Sequence, residues 1–478
     1  MMQLTLLEAA EACGGKLVCR VEEDAVRCIS CAVTDSRQVQ ADGLFFAVCG
    51  ERVDGHRFIS QVFAKGAAAV VTQKTPAQVQ EESGEDCSAW GSYILVEDTL
   101  QALKAIAEFY RIKVGIPVVG ITGSVGKTST KEFIAGVLSE RFCVLKTEGN
   151  FNNEIGVPLT LLRIRPEHEL AVVEMGISDF GEMHRLSKMA RPNVCVMTNI
   201  GQCHMEQLKT RDGILKAKSE IFDYMASDGE IVLNGEDDKL SALREIRGHH
   251  PHYFGLGGNP AEEVFAETIE SHGLFGSEIV LNLGGTRRKV QVPLPGIHMV
   301  INAACAACVG KLFGMTGEEI ASGIAKIKPV SGRNHLIPGA HYTLIDDCYN
   351  ANPGSMKAAL DLLSLADTKK IAILGDMFEL GENSDFLHAE VGRYAVSKQI
   401  DSLICVGENS LHMFEEACDY AEGTEHIAHF RTLDALLAVL QEEQETYLAD
   451  GATILLKASH GMQFDRLLSF LQERNQPA

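Results

Sequence analysis

VGIPVVGITGSVGKTST, residues 114–130, decides how the rest of the chain is read. Its apolar run Ile116–Ile121 is broken only by Pro117 and Gly120, turns through Gly123-Ser-Val-Gly126, and continues as Lys127–Leu138 with helical spacing. Strand, glycine loop, Lys-Thr and helix, in that order, form a phosphate cradle. Glycines let backbone N–H groups approach an anion without Cβ clashes, and the helix N-terminus adds partial positive charge where the phosphate sits. Lys127 is placed to reach the β- and γ-phosphates and the Thr128 hydroxyl to ligate Mg²⁺. The usual consensus puts a glycine five residues before Gly126; here that place is Ile121, with Gly120 one step earlier.

The surroundings of this stretch agree with a large α/β enzyme. A chain of 478 residues predicts about three domains at ordinary sizes. A hydrophobic content of 46% supplies real cores, and a net charge of −22 argues against nucleic acid or an anionic membrane as partner. Anionic substrates then need local rescue by Mg²⁺, lysines and helix termini. The 14 cysteines lack a disulfide framework, no basic-then-apolar leader opens the chain, and no apolar run is long enough to span a bilayer. A cytoplasmic location with reduced thiols is expected. Two Cys-x-x-Cys pairs, Cys28/Cys31 and Cys305/Cys308, lack a partner pair at zinc spacing; the second lies in an Ala-rich helical run, where cysteine acts as a small hydrophobe.

Residues 1–112 read as a small α/β domain, with strands at Leu17–Cys19, Leu44–Val48, Ala67–Thr72 and Tyr93–Val96, a polar loop at Thr75–Gly91 and a helix at Thr99–Lys113. The polar patches Thr34–Arg37 and Asp54–His56 are turns or sites. Residues 113–328 alternate helix with apolar β-rich runs at Cys143–Lys146, Leu170–Glu174, Val194–Thr198 and Ile231–Leu233, the rhythm of a mostly parallel, doubly wound sheet. Functional residues should then collect at the carboxyl ends of strands, where Glu174 and Asn199 fall, with His204 close behind. Short alternating runs from Ala266 to Pro293 predict an antiparallel excursion before a helix at Ile297–Phe313. Residues 329–478 repeat the rhythm without a second glycine loop, with strands at Tyr342–Asp346, Ile371–Leu374, Leu403–Val406 and Thr453–Lys457, and carboxylates at the tips Asp346-Asp347-Cys-Tyr349-Asn350 and Gly375-Asp376-Met-Phe-Glu379. Caps of the following helices are the simpler reading of those tips.

Taken as an ordered set, Gly123–Ser129, Gly149–Gly156 (GNFNNEIG), Glu174–Gly176, Thr198–Gly201 with His204, Ala217-Lys218, Asn302–Ala304, Ser331–Arg333, Asp346–Pro353 (DDCYNANP) and Gly375–Gly381 (GDMFELG) resemble the Mur ligase family over nearly the whole chain. The resemblance implies an α/β fold of three domains: an N-terminal UDP-substrate-binding domain, a central ATP-binding P-loop domain and a C-terminal Rossmann-like domain. It implies a monomer that uses ATP and two Mg²⁺ to join D-Ala-D-Ala to a UDP-N-acetylmuramoyl-tripeptide. The peptide carboxylate is phosphorylated, the dipeptide amine attacks the acyl phosphate, and phosphate leaves.

Carried over residue by residue, the resemblance assigns Gly123, Ser124, Val125, Gly126, Lys127, Thr128 and Ser129 to the triphosphate. Thr128 and Glu174 would hold one Mg²⁺, and His204 would help hold a second. Lys218 matches a position that is carbamylated, which turns a cation into an anionic metal ligand. Asn302 would touch adenine; Arg333, Asp347, Tyr349 and Asn350 would surround the nucleotide; catalysis would require domain closure. Ser36 and Arg37 would hold the UDP end, Asn150, Asn152 and Asn153 the body of that substrate, and Asp376 the incoming dipeptide. Met299 stands where many relatives carry Asn, and His460 where Arg is expected. A sister ligase that adds one amino acid to the muramoyl dipeptide or glutamate to folate, and a non-catalytic nucleotide-binding module, stay open; the Asp-Asn-Pro-Arg string of a diaminopimelate-adding relative is absent.

Overall fold

The computed structural model describes residues 1–50, 53–84, 90–421 and 426–476. Its strands form three sheets. β1 (Lys16–Val18), β2 (Ala32–Val33), β3 (Leu44–Phe46), β4 (Ala69–Thr72) and β5 (Ser92–Leu95) lie in the order β1-β5-β4-β3-β2, parallel except for β1. The second sheet contains β6 (Val118–Thr122), β7 (Val144–Lys146), β8 (Leu170–Glu174), β9 (Val194–Met197), β10 (Glu230–Asn234), β11 (His252–Gly255), β12 (Glu262–Ser271), β13 (Ser277–Leu283) and β14 (Arg287–Val292), ordered β14-β13-β12-β11-β10-β9-β6-β8-β7. The third contains β15 (His335–Ile337), β16 (Thr343–Asp346), β17 (Lys370–Gly375), β18 (Ser402–Val406), β19 (His426–Phe430) and β20 (Thr453–Lys457), ordered β15-β16-β20-β17-β18-β19 and parallel except for β15. The chain thus adopts the expected α/β class with three sheets.

By compactness the chain divides into two units, one of Met1–Thr122, Arg141–Val196 and Lys218–Ile231, the other of Gly123–Glu140, Met197–Ala217 and Val232–Ala478. In the first, Phe45, Phe63, Val70 and Tyr93 centre a core on one face of the five-stranded sheet. In the second, alternation along the strands builds the third sheet's two faces. Ile345, Ala372, Leu374, Leu403 and Leu455 enter one core; their neighbours Leu344, Ile371, Ile373, Ile404, Ile454 and Leu456 enter the other. A strand buried on both faces reads as a continuous apolar run, which is why these strands were plain in the sequence.

Several elements differ from expectation. The stretch expected as a loop over 75–91 contains a helix, Pro76–Ser83, started by a capping box between Thr75 and Gln78 with proline in its first turn; residues 85–89 lie outside the described set. Only Val79 of that helix is buried, so it carries no apolar stripe to read. The short strands β2, β11, β15 and β19 are not among those expected, and the antiparallel excursion begins slightly earlier, at Val264. Cys305 and Cys308 are buried in the helix Ile297–Leu312, whereas Cys28 is exposed. Among the described residues no helix is long and apolar enough to cross a membrane.

Two carboxylates meet where β10, β11 and β12 turn. Glu236 Oε1 accepts from Leu256 N at 2.7 Å and Glu262 Oε2 from Gly257 N at 2.6 Å. Burial, with the neighbouring Glu236 carboxyl adding to it, pushes Glu262 up from 4.5 to about 7. A folded pKa above the unfolded one means that its stability contribution is complete below pH 4.5 and lost as pH rises through about 7. Glu262→Gln is therefore expected to stabilise the protein at pH 8, by about 3 kcal/mol at most, and to change little at pH 5. Thermal melts at both pH values check this; equal shifts would exclude the titration as the cause.

Candidate functional site

The glycine loop opens where the sequence put it. Gly126 caps the helix Lys127–Leu138 with φ +83°, a left-handed conformation that disfavours side chains. At Gly123 a Cβ would lie 1.9 Å from Thr198 Oγ1, so only glycine fits. Lys127 Nζ donates to Gly123 O at 2.8 Å. Four residues of the string Thr198–Gly201 and its support hold the loop. Val125 N donates to Asn199 Oδ1 (2.9 Å); Asn199 Nδ2 and Thr198 Oγ1 both donate to Val125 O (2.9 and 2.7 Å). Ser124 Oγ donates to Gly201 O and accepts from Gly201 N (3.1 and 2.9 Å), and Asn234 Nδ2 donates to Thr198 O (2.9 Å). The strand-tip position of Asn199 was legible; its task, clamping the loop, was not.

Beside the loop a pocket is lined by Val125, Gly126, Ser129, Asn302, Arg333 and Asp347 from the expected set, and by Asn199, His298, Asn334 and Lys457. Its lining residues are mostly polar, with Val125, Phe254, Ile301 and Ala358 supplying the apolar part. Asn302 is buried and fixed by Thr130, whose Oγ1 donates to its Oδ1 at 2.9 Å. Asp347 accepts from Lys457 Nζ (2.6 Å) and Asn334 N (3.2 Å). The Arg333 guanidinium lies 3.9 Å from the Tyr349 ring centre, and His460 flanks the same ring at 5.9 Å. Asn350 O accepts from Lys457 Nζ at 2.9 Å, so Tyr349 and Asn350 adjoin the pocket without lining it. Buried Asp376 instead accepts from Ser410 N at 2.7 Å and is outside the lining. His204 Nδ1 lies 2.6 Å from Glu379 Oε2.

In the other unit, Glu174 ends β8 at 1% exposure, and Asn152 Nδ2 donates to its Oε1 at 2.8 Å. Lys218 is fully buried. Asn153 Oδ1 accepts from Ile155 N and Gly156 N, starting the helix Gly156–Leu161, while Asn150 is exposed. A second pocket is lined by Thr34, Gln38, Phe151, Arg163 and Arg165 among others. The expected neighbours Ser36 and Arg37 are not in its lining: Ser36 is buried, with its carbonyl accepting from Lys65 Nζ at 2.8 Å, and the exposed Arg37 forks onto Asp35. Arg37 in turn draws the Asp35 carboxyl below its usual range.

Thr128 offers a hydroxyl oxygen and Glu174 a carboxylate oxygen, donor types that suit a hard cation such as Mg²⁺. Lys218 as an ammonium holds no cation. Among the described residues one cluster, Cys49, Asp54 and His56, places ligand atoms within 4.8 Å of one another. There both ring nitrogens are committed, Nδ1 to Asp54 Oδ1 (2.6 Å) and Nε2 to Gln73 N (3.3 Å). Burial of Asp54 is outweighed by hydrogen bonds from His56 and Cys49, which bring it down to about 2. That cluster is a closed turn.

Fold and site thus define a three-sheet α/β protein with a glycine-rich loop at a helix N-terminus beside a pocket lined mostly by polar residues. The chain belongs to the Mur ligase family: it matches the family's catalytic domain over residues 29–111, its middle domain over 121–310 and its glutamate ligase domain over 332–460. It is 35% identical to the UDP-N-acetylmuramoyl-tripeptide–D-alanyl-D-alanine ligase of Bacillus subtilis and 34% to that of Escherichia coli, each over 99% of both chains. Among solved structures it resembles MurF from Acinetobacter baumannii (TM-score 0.85, 32% identity, 98% of both chains). It also resembles MurF ligase from Thermotoga maritima in complex with ADP (TM-score 0.77, 27% identity, 93% of this chain and 97% of the other).

Proposed function

We propose that this chain is an ATP-dependent, ADP-forming ligase that joins D-alanyl-D-alanine to UDP-N-acetylmuramoyl-tripeptide, making the pentapeptide precursor of peptidoglycan. The observation that carries the reading is the end-to-end likeness to relatives bearing that name, over a chain whose glycine loop is fixed by its own side chains. In this reading residues 1–112 take the UDP substrate, 113–328 bind ATP, and 329–478 complete the nucleotide site and take the dipeptide, in a cytoplasmic monomer.

A carboxylate resists amide formation because oxide is a poor leaving group. Transfer of the ATP γ-phosphoryl to it creates a leaving group; the dipeptide amine attacks the carbonyl carbon, loses a proton, and phosphate departs. Magnesium, when bound, offsets the negative charge of the phosphates. Lys127 neutralises the transferring phosphoryl, Thr128 and Glu174 supply oxygen ligands for the metal, and His204 serves a second ion. Lys218 contributes to metal binding once carbamylated. Asn302 orients adenine; Arg333 and Asp347 hold phosphates and ribose.

Phosphate release measured with ATP, UDP-muramoyl-tripeptide and D-Ala-D-Ala tests the proposal. Release with the muramoyl dipeptide plus a single amino acid, and none with D-Ala-D-Ala, would replace it with a sister activity. Glu174→Gln keeps the acceptor for Asn152 but removes the charge. It is expected to lower kcat at least a hundredfold, roughly 3 kcal/mol, while nucleotide affinity changes much less. Small, equal losses in both would exclude a metal role.

A further inference from the structure

Glu379, a strand-tip carboxylate with no assigned role, meets the one imidazole expected at a metal. We propose that Glu379 is a positioning residue. Its carboxylate fixes His204 as the Nδ1–H tautomer, which leaves the Nε2 lone pair for a divalent cation. The proposal rests on the metal role assigned to His204 above.

The contact is built from both sides. His204 caps the short helix Met205–Leu208 in left-handed backbone (φ +51°), and Glu379 is also left-handed (φ +62°). Non-glycine residues persist in that region only where their surroundings impose it. The loop that carries Glu379 is tied at successive residues. Met377 N donates to Nε2 of the fully buried His388 (2.9 Å), whose Nδ1–H is held by Ser384 O (2.7 Å). Phe378 N donates to Ser459 Oγ (2.9 Å), and Ser459 N donates to Asp376 O (3.0 Å). Gly381 follows, left-handed, against Glu206. Glu379 therefore reaches His204 from a braced turn.

A carboxylate accepts, so at 2.6 Å the shared proton belongs to Nδ1. No partner for Nε2 is found among the described residues, and a ring nitrogen whose other N–H is held by a carboxylate is a stronger, better-aimed ligand. A chance pairing of two surface loops would not need strain at both ends or a bonded brace behind one of them.

The test uses the full chain with ¹⁵N-labelled histidine, free of metal. Long-range ¹H–¹⁵N spectra assign His204 by its loss in His204→Gln. The expected result is the Nδ1–H form in the parent protein and in Glu379→Gln, whose amide oxygen still accepts, and conversion to mainly Nε2–H in Glu379→Ala. Glu379→Ala should also raise the magnesium concentration for half-maximal turnover by tenfold or more, with Glu379→Gln recovering most of it. A parent protein in the Nε2–H form, or a tautomer indifferent to Glu379→Ala, overturns the proposal. A tautomer that shifts without any change in magnesium dependence overturns the metal role of His204, while ligase turnover with D-Ala-D-Ala reports separately on the function itself.

Discussion

Lys127→Ala is expected to slow ligation about a thousandfold, a loss of roughly 4 kcal/mol of transition-state stabilisation, while leaving the fold intact. The two halves of this expectation rest on different bonds. The loop is shaped by Gly123 and Gly126 and clamped through Val125 by Thr198 and Asn199, and none of those contacts involves the lysine side chain. What Lys127 adds is a cation at the first turn of the helix Lys127–Leu138, bonded to Gly123 O and so aimed along the loop. Charge that develops on a transferring phosphoryl is stabilised by such a pre-placed cation more than the ground-state nucleotide is. The loss should therefore fall on kcat rather than on nucleotide affinity. Phosphate release at saturating substrates, paired with a thermal melt, reads both quantities. Near-normal turnover in a normally folded variant would remove the loop from the mechanism.

How far the sequence carries depends on the range of the interaction that fixes each feature. The strand–loop–helix unit is local: an apolar run, two glycines and a helical period lie within about two dozen residues, and the helix falls at Lys127–Leu138 as read. The doubly covered strands of the third sheet are legible for a similar reason, since two buried faces leave one unbroken apolar run. What stayed hidden is held by residues far apart in the chain. Asn199 clamps Val125 across 74 positions, and His204 meets Glu379 across 175. Composition carries no trace of either pairing, and a glutamate at a strand end reads equally well as a cap. The helix Pro76–Ser83 is hidden for a different reason: its signal lies in the capping box, and its body buries only Val79. Asp376 and Asn153 show the converse, polar residues in suggestive strings whose side chains mainly satisfy backbone N–H groups.

Lys457→Met is expected to destabilise the protein by about 3–5 kcal/mol, and the cause is the carboxylate it abandons. Lys457 ends β20 and Asp347 follows β16, its neighbour in the sheet. Their side chains are 2% and 9% exposed and lie 2.6 Å apart, with Asn350 O taking a second proton of the ammonium. Methionine matches the lysine stem in length, so packing changes little; what changes is that Asp347 is left charged, buried and short of a partner. Neutralising it should then recover much of the loss, so the double variant Lys457→Met with Asp347→Asn is expected to be at least half as stabilised again as the single variant is harmed. Denaturation of the parent, both single variants and the double variant closes the cycle. The same pair holds Asp347 in the lining of the pocket beside the glycine loop. Lys457→Met should therefore also weaken nucleotide binding under conditions where it stays folded, by more than the loss of a distant surface lysine would. Losses that simply add, with no recovery in the double variant, would mean that the two residues stabilise the fold independently and that the lysine does not hold Asp347 in place.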